Sequence, residues 1–542
     1  MSESASVKPS ASMEEMELTL GGSEGDSQYP EISLDPEGEG VWGLIDRWTE
    51  RATHWFNPIL IKEARQSLKS RQFLVTYFCV LVASCGWTIL GVVFNAPEIY
   101  FIPRGEELLA GYFLILAVSL LAFVPLVAFR SLAAELDEGT YEMLAITRLT
   151  AWRIVVGKMN SAILQMLIYV SAIVPCLAFC YLLRGVSLMA IVASVTIVFV
   201  ASLLVVSFGL MLSTISKGRS SQTFLLVGYL ALLIFVFFLC CSFVFEVVFR
   251  EEVGGEWFGF VLSVVMAFSF VILFLAAAAA SVAPITENRS TRLRAILFVQ
   301  QVLWTVLMTY FAWTYAEPEI LNVGMLMMTL FWMVVGVFMC GESWELSPRV
   351  RRDLPKTYAT RMLLSWWMPG PGSGFMFVIS TAISGLLIFA LFYVFQINWS
   401  EESPRNVSTW PGMFALLSAG YLSGYLGLTR LISMPWLRRF GPSFITPIVV
   451  AMGLIFLGTA GPAMIEVLFT GSVSPSITPF HAGNFFWAWG ESFGRRLPAA
   501  LALLVFVAGS IVLVLNAAFL LREFRQRRSE TPLRVQQSRE AN

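Results

Sequence analysis

Long apolar runs separated by short polar segments make up most of the chain from about residue 73 onward. A helix needs about 20 apolar residues to cross the hydrocarbon core of a membrane. Twelve runs meet that length, and they predict an all-α integral membrane protein with about twelve transmembrane helices. The predicted spans cover residues 73–93, 108–129, 160–183, 186–214, 222–248, 258–284, 294–315, 320–340, 374–396, 411–432, 443–469 and 497–521.

Composition supports this class and narrows the chemistry. Hydrophobic residues make up 57% of the chain and charged residues only 13%, whereas a soluble domain carries about 25% charged residues. The seven cysteines all fall in apolar runs, where they act as small apolar side chains. His54 and His481 are the only histidines, which argues against histidine-based metal sites and catalytic triads. We therefore expect neither a metal nor a cofactor.

The distribution of Lys and Arg predicts the orientation of the spans. Cytoplasmic loops of membrane proteins carry an excess of these residues. With the N-terminus placed in the cytoplasm, only six of the 36 basic residues fall on the opposite side. Those six are Arg104, Arg184, Arg250, Arg405, Arg495 and Arg496. The asymmetry favours an even number of spans with both termini cytoplasmic.

Polar segments precede and follow the predicted spans. Residues 1–40 are acidic and rich in Gly, Ser and Pro, which predicts a disordered tail. They contain no apolar stretch typical of a cleaved signal peptide, so we expect the first span to direct insertion. Residues 522–542 form a basic tail that we place in the cytoplasm.

The segment directly before the first span, residues 41–71, has an amphipathic pattern. Trp42, Trp48 and Trp55 alternate with charged residues, which is typical of a helix lying in the membrane interface. Pro58 then suits the first turn of a new helix. A simple basic anchor beside the membrane is the alternative interpretation.

A second amphipathic pattern lies between spans two and three, in residues 130–158. Gly139 follows a run of acidic residues and interrupts the helix. A short helix is predicted to start near Thr140, with Tyr141 and Leu144 on one face. Such a helix either packs on its own spans or presents its apolar face to a cytoplasmic partner.

These two segments resemble the permeases of ABC-2 type transporters. The first segment carries Asn57-Pro58-Ile59-Leu60, then Lys62-Glu63 and Arg71. The second carries Glu138-Gly139-Thr140, Glu142, Leu144, Thr147, Leu149 and Gly157-Lys158, similar to the family's E-G-T-x-E-x-L-x-x-T-x-L…G-K loop. Arg148 stands where that motif usually has proline, and Leu136 where it often has arginine.

The resemblance implies a six-span permease unit over residues 72–284. In the family, the E-G-T loop holds the coupling helix that docks into a groove of the ATPase subunit. The implied assembly is a homodimer with separate ATPase subunits in a bacterial inner membrane, working as an exporter. Residues 285–521 add six spans without a second copy of either motif.

The sequence gives little indication of catalysis. No G-x-x-x-x-G-K-[ST] loop is present, so ATP hydrolysis by that route needs a separate ATPase subunit. H-E-x-x-H does not occur. G-x-S-x-G is matched at residues 21–25 and 490–494, but a predicted all-α chain lacks the strand-to-helix turn that this motif needs. We therefore do not expect an enzyme, and we expect the ATPase and membrane lipids, not nucleic acid, as partners.

Two other functions fit the same pattern of spans. An ion-coupled secondary transporter generally places ionisable groups within the membrane. Glu246 and Glu466 are the best candidates, although both lie near the outer ends of their spans and fit lone interfacial carboxylates better. A scaffold subunit of an ABC complex that does not itself transport is the other alternative.

Overall fold

The structure is a computed structural model whose described residues lie in twelve stretches and a few single positions. They are residues 63, 66–96, 101–138, 150–215, 219–248, 257–284, 288–315, 317, 319–342, 357, 360, 365–399, 411–441, 443–471, 479–493, 498–526, 535, 537 and 538. The predictions for the acidic tail, for residues 41–62, for the loop at 139–149 and for most of the basic tail fall outside these residues. The described residues form helices and contain no strand.

Six long helices make up the described part of the first half. They are α1 (Arg71–Phe94), α2 (Gly105–Asp137), α3 (Ala151–Leu182), α4 (Leu188–Ile215), α5 (Arg219–Phe243) and α6 (Trp257–Val282). A π-helical turn at Ser119–Phe123 interrupts α2, and α5 continues into another at Val244–Val248. The Ser70 hydroxyl caps α1 by accepting from the Phe73 amide at 3.1 Å, as serine commonly does at a helix start.

The described part of the second half has six further long helices and one short helix. They are α7 (Ser290–Thr314), α8 (Glu319–Cys340), α9 (Pro371–Trp399), α10 (Pro411–Phe440), α11 (Ile445–Thr470), α12 (Phe485–Phe493) and α13 (Ala499–Gln526). Proline at the first position of α9 and α10 suits a helix start, where no amide donor is needed. Gly471, with φ 74°, ends α11 in the left-handed conformation that glycine adopts readily.

Each of the twelve predicted spans coincides with a long helix. Among the described residues, eleven helices are long and apolar enough to cross a membrane, and they indicate a multi-pass membrane protein. α10, which contains the predicted tenth span, is the long helix outside this set. The same helix is deeply enclosed, since more than half of its residues are buried. The twelfth crossing therefore stays a prediction.

The first half packs around α2. Its Leu108, Tyr112 and Leu116 are almost fully buried in a core shared with α1, α3, α4 and α6. The Trp87 ring of α1 lies against α2 at Gly111, and its Nε1 donates to the Leu108 carbonyl at 3.1 Å. The absence of a side chain at Gly111 makes room for that ring. α2 is thus the central helix of this half.

The second half packs around α10. A Cβ added to Gly420 of α10 would lie within 3 Å of the α13 backbone at Val505 and Phe506. Glycine therefore permits the direct backbone contact between these helices, as small residues do in membrane bundles. A second core, formed mainly by α8, α9, α10 and α12, surrounds this pair and contains the fully buried Trp332.

The two cores meet at α6. Val271 of α6 belongs to the first core and Leu273 to the second. The Phe258 ring of α6 also packs edge-on against Tyr310 of α7, with ring centroids 4.9 Å apart. At the opposite end of α7, the Arg292 guanidinium lies 5.7 Å from the Trp152 ring of α3. Contacts at both ends of α7 therefore connect the halves.

Candidate functional site

Lys158 is the centre of a charged network at the predicted cytoplasmic end of the first half. It lies two turns into α3, and its side chain is only 3% exposed. Its ammonium Nζ lies 2.9 Å from Glu135 Oε1 and 3.4 Å from Glu63 Oε1. Nζ also donates to the Ser131 hydroxyl at 2.9 Å. One buried cation thus faces two carboxylates and a hydroxyl.

Three separate segments supply this network. Ser131 and Glu135 are four residues apart on α2, and this spacing puts both side chains on one face of the helix. Lys158 comes from α3, and Glu63 comes from the segment before α1. Burying a lone ammonium is costly unless charged partners compensate it. The ion pairs therefore favour holding all three segments together.

Further polar contacts lie along α3 beyond Lys158, and they join α3 to α1 and to the residues just before α1. The hydroxyls of Ser67 and Ser161 lie 3.3 Å apart. Further along, the Thr76 hydroxyl lies 2.6 Å from the Tyr169 hydroxyl, and the Phe73 ring packs on the Tyr169 ring at 5.6 Å. The start of α1 is thus aligned with α3 over more than two helical turns.

The structure places some of the predicted site residues and not others. Glu63 and Lys158 join in the network, and Gly157 is buried beside Lys158 in α3. Arg71, the first residue of α1, and Glu138, at the end of α2, are exposed. The remaining predicted residues lie outside the described part of the chain: Asn57, Pro58, Lys62, Gly139, Thr140, Glu142, Leu144 and Thr147.

Sequence reasoning did not include Ser131 and Glu135 in the site. The sequence does contain a signal for them, because Glu135 follows Ser131 by one helical turn at the end of an apolar helix. That signal is weak, because the same spacing is common on solvated helix faces. The partner lysine lies 27 residues beyond Ser131, and only the packing of α2 on α3 brings them together.

A second charged cluster joins α7, α8 and the start of α9. The Arg294 side chain is fully buried, and its Nη2 donates to Glu342 Oε2 at 2.7 Å. Arg294 Nη1 donates to the Trp366 carbonyl at 2.6 Å, and the same Glu342 oxygen accepts from the Gly370 amide at 2.6 Å. These bonds fix the chain that enters α9.

A third cluster joins α10 and α13. The guanidinium of Arg430, 1% exposed, donates to the carboxylate of Glu523, 5% exposed. It also donates to Asn516 Oδ1 at 3.1 Å. A Cβ added to Gly372 of α9 would lie 2.5 Å from the Glu523 carboxylate and 2.7 Å from Arg430 Nη2. Glycine at that position therefore lets α9 approach the ion pair.

A fourth polar contact lies in the second half, at the end opposite the Arg294 and Arg430 clusters. Glu466 of α11 is not a lone carboxylate, because its Oε2 lies 3.0 Å from Nε2 of His481. His481 belongs to a 3-10 turn, Pro479–Gly483, that precedes α12. The Tyr421 hydroxyl of α10 donates to the Ala482 carbonyl at 2.7 Å and holds this turn against the bundle. The other predicted carboxylate, Glu246, is exposed in the π-helical turn after α5.

The described residues thus define a multi-helix membrane protein with charged pairs buried between its helices. Within these residues, no group of three His, Cys, Asp or Glu side chains is placed to hold a metal ion. Comparison with known protein families, with characterised proteins and with solved structures finds no match to this chain. The functional conclusion therefore depends on the sequence motifs and on the geometry around Lys158.

Proposed function

We propose that the chain is the membrane subunit of an ATP-driven transporter of the ABC-2 type, an exporter that works with a separate ATPase subunit. One observation carries the proposal. Lys158 forms an ion pair with Glu63. Glu63 belongs to the first segment that resembles the family, and Lys158 belongs to the second. The two residues are 95 positions apart in sequence. If the resemblance were a coincidence, there would be no reason for the two motif segments to meet at one buried lysine.

Coupling follows from the position of this lysine beside the loop at 139–149. α2 leads into the loop and α3 leads out of it, so an ATPase that moves the loop acts on both helices. Because the Lys158 network ties α2 and α3 to the segment before α1, all three move together. In this mechanism, closure of two ATPases around ATP reorients the helices of a homodimer.

The proposed setting is the inner membrane of a bacterium, with both termini in the cytoplasm. The sparse basic residues on the opposite side support this orientation. The ends of α2 and α3 that meet the loop at 139–149 then face the cytoplasm, where the ATPase resides. The additional helices α7 to α13 accompany the permease unit in the same chain.

Affinity purification from native membranes tests the proposal directly. We expect an ABC-type ATPase to co-purify with the full-length chain. Glu138→Arg reverses a charge at the exposed end of α2, and Leu144→Asp places a charge on the predicted apolar face of the loop. Each should abolish ATPase association while the protein still inserts. Glu319→Arg, at the opposite end of the bundle, is the matched control and should leave association unchanged.

Transport assays then separate export from a scaffolding role. Vesicles containing the chain and its ATPase should move substrate only when ATP is hydrolysed. ATPase association without flux would favour the scaffold subunit. The absence of any ATPase partner, combined with flux driven by a proton gradient, would overturn the proposal.

An ion-coupled secondary transporter is the second candidate, and the Glu466–His481 pair favours it. Both side chains are largely buried, at 13% and 2% exposed. Carboxylates and histidines within a membrane bundle are the groups that proton relays use. In that case His481→Gln should abolish proton-driven flux. Under the ABC proposal the same variant retains ATP-driven flux, so one substitution discriminates between the two mechanisms.

A further inference from the structure

A groove runs between α10 and α13 at their predicted cytoplasmic ends. It is open to the surroundings and has a volume of about 500 Å³. Its lining consists of Leu431, Met434, Pro435, Arg438, Arg439 and Phe519. The groove is thus apolar along its length and carries two arginines at one end. We call it the α10–α13 groove.

The charge around the arginine end of the groove is positive on both helices. Arg438 and Arg439 are exposed at the end of α10. From α13, the exposed Arg522 lies with its guanidinium 5.9 Å from the Phe519 ring that lines the groove. The neighbouring carboxylate, Glu523, is 5% exposed and binds Arg430 in the interior. Glu523 is therefore turned inward, whereas Arg438, Arg439 and Arg522 are exposed at the described ends of the two helices.

The rest of the groove suits a hydrocarbon chain. Leu431, Met434 and Phe519 supply an apolar floor, and α10 ends in the exposed aromatic residues Trp436 and Phe440. Tryptophan is enriched at the depth of lipid headgroups, and arginines near helix ends reach the same depth. Pro435 has no amide proton, so the Leu431 carbonyl lacks its helical donor. That carbonyl offers an acceptor to a hydroxyl at the same depth.

We propose that the α10–α13 groove is a binding site for one anionic phospholipid of the cytoplasmic leaflet. The phosphate binds among Arg438, Arg439 and Arg522, and an acyl chain lies over Leu431 and Met434. Guanidinium groups bind phosphate by charge-assisted, often paired, hydrogen bonds. Basic pockets between membrane helices on the cytoplasmic side recognise such headgroups. This site requires the proposed orientation but is independent of the energy source for transport.

A purely electrostatic anchor would need no groove, and this difference makes the site testable. The full-length protein, purified in detergent, is titrated with phosphatidylglycerol or phosphatidylcholine, and bound lipid is counted by native mass spectrometry. We expect one phosphatidylglycerol per chain to bind much more tightly than the rest, with no equivalent for phosphatidylcholine. The double variant Arg438→Gln/Arg439→Gln should weaken that binding roughly 25-fold, about fivefold per arginine.

Two further variants distinguish the groove from general surface charge. Arg351→Gln/Arg352→Gln removes an adjacent arginine pair from another predicted cytoplasmic loop and should leave the tight site intact. Leu431→Trp keeps every arginine but fills the groove, and it should remove the tightly bound lipid. Size-exclusion profiles and thermal unfolding confirm that each variant is folded.

Three results would overturn the proposal. One is equal weakening by the two arginine pairs, which would indicate only a positive surface. Another is retention of the tight site in Leu431→Trp, which would exclude the groove as its location. The third is displacement of phosphatidylglycerol by inorganic phosphate at millimolar concentration, which would indicate a simple phosphate site in place of a lipid site.

Discussion

The two halves of the chain bury charge in different ways. In the first half, Lys158 contacts Glu63 and Glu135, whose side chains remain 12% and 21% exposed. In the second half, Arg430 and Glu523 are 1% and 5% exposed. A flexible ammonium therefore joins three segments beside a loop in one half, whereas a planar guanidinium is enclosed between helices in the other.

This difference has a consequence for which parts of the molecule can move. A compact ammonium on a flexible stem exchanges partners more easily than a planar guanidinium, and the Arg430 guanidinium donates to both Glu523 and Asn516 of α13. Partly exposed carboxylates can also recover water when they lose a partner, whereas an enclosed carboxylate cannot. We therefore expect α1, α2 and α3 to move as a group during function, and α9, α10 and α13 to act as a rigid frame.

The largest expected effect comes from breaking the frame at Arg430. Arg430→Met leaves the Glu523 carboxylate buried without its cation, which should reduce stability by about 3–5 kcal/mol. Reversible unfolding in mixed detergent micelles measures this change. Arg430→Met/Glu523→Leu should recover most of the loss, and Arg71→Met, at an exposed arginine, should cost little. A similar small loss for Arg430→Met would show that the pair contributes no rigidity.

A smaller loss is expected when the approach of α9 to that pair is blocked. Gly372→Ala adds a Cβ 2.5 Å from the Glu523 carboxylate, so the helix or the pair must shift, at a cost of about 1–3 kcal/mol. Gly453→Ala in α11 is the control, because nothing lies within 4 Å of its added Cβ. Thermal unfolding of both proteins gives the comparison, and equal midpoints would mean that α9 is not tightly held.

The smallest effect on stability is expected at Lys158, together with a large effect on transport. Lys158→Met leaves two carboxylates that can regain water, so we expect a loss near the lower end of about 1–3 kcal/mol. ATP-driven flux should nevertheless be lost while the ATPase still co-purifies, because the loop is retained but α1 is uncoupled. Unchanged flux would show that the Lys158 network only stabilises the fold.

Much of the fold could be predicted from hydrophobic patterning, because each crossing requires a long apolar helix. The prediction of helix ends and of short helices is less accurate, because polar residues and proline interrupt the hydrophobic pattern there. α10 was predicted to end at residue 432 but continues to Phe440, past Pro435. The short helix α12 was not predicted, since nine residues cannot cross a membrane and leave no periodic signal of that length.

The candidate site could be predicted only in part, for a related reason. Glu63 and Lys158 were identified from motifs, but their contact depends on tertiary packing across 95 residues. Glu135 carries no motif that distinguishes it from a solvated acidic residue. Arg294 was counted only as one of the basic residues on the cytoplasmic side, and the structure shows it fully buried. Burial of a charge depends on partners that no local pattern encodes.

The enclosed position of α10 also has a consequence for how the protein is made. α10 is less apolar than the eleven candidate spans and carries Arg430, whose partners Asn516 and Glu523 come 86 and 93 residues later. During synthesis, Arg430 has no counter-charge until α13 is made. The surface of α10 at Gly420 likewise has no packing partner until then. We therefore expect α10 to insert into the bilayer together with the helices that follow it. The second half should then insert as one unit and not helix by helix.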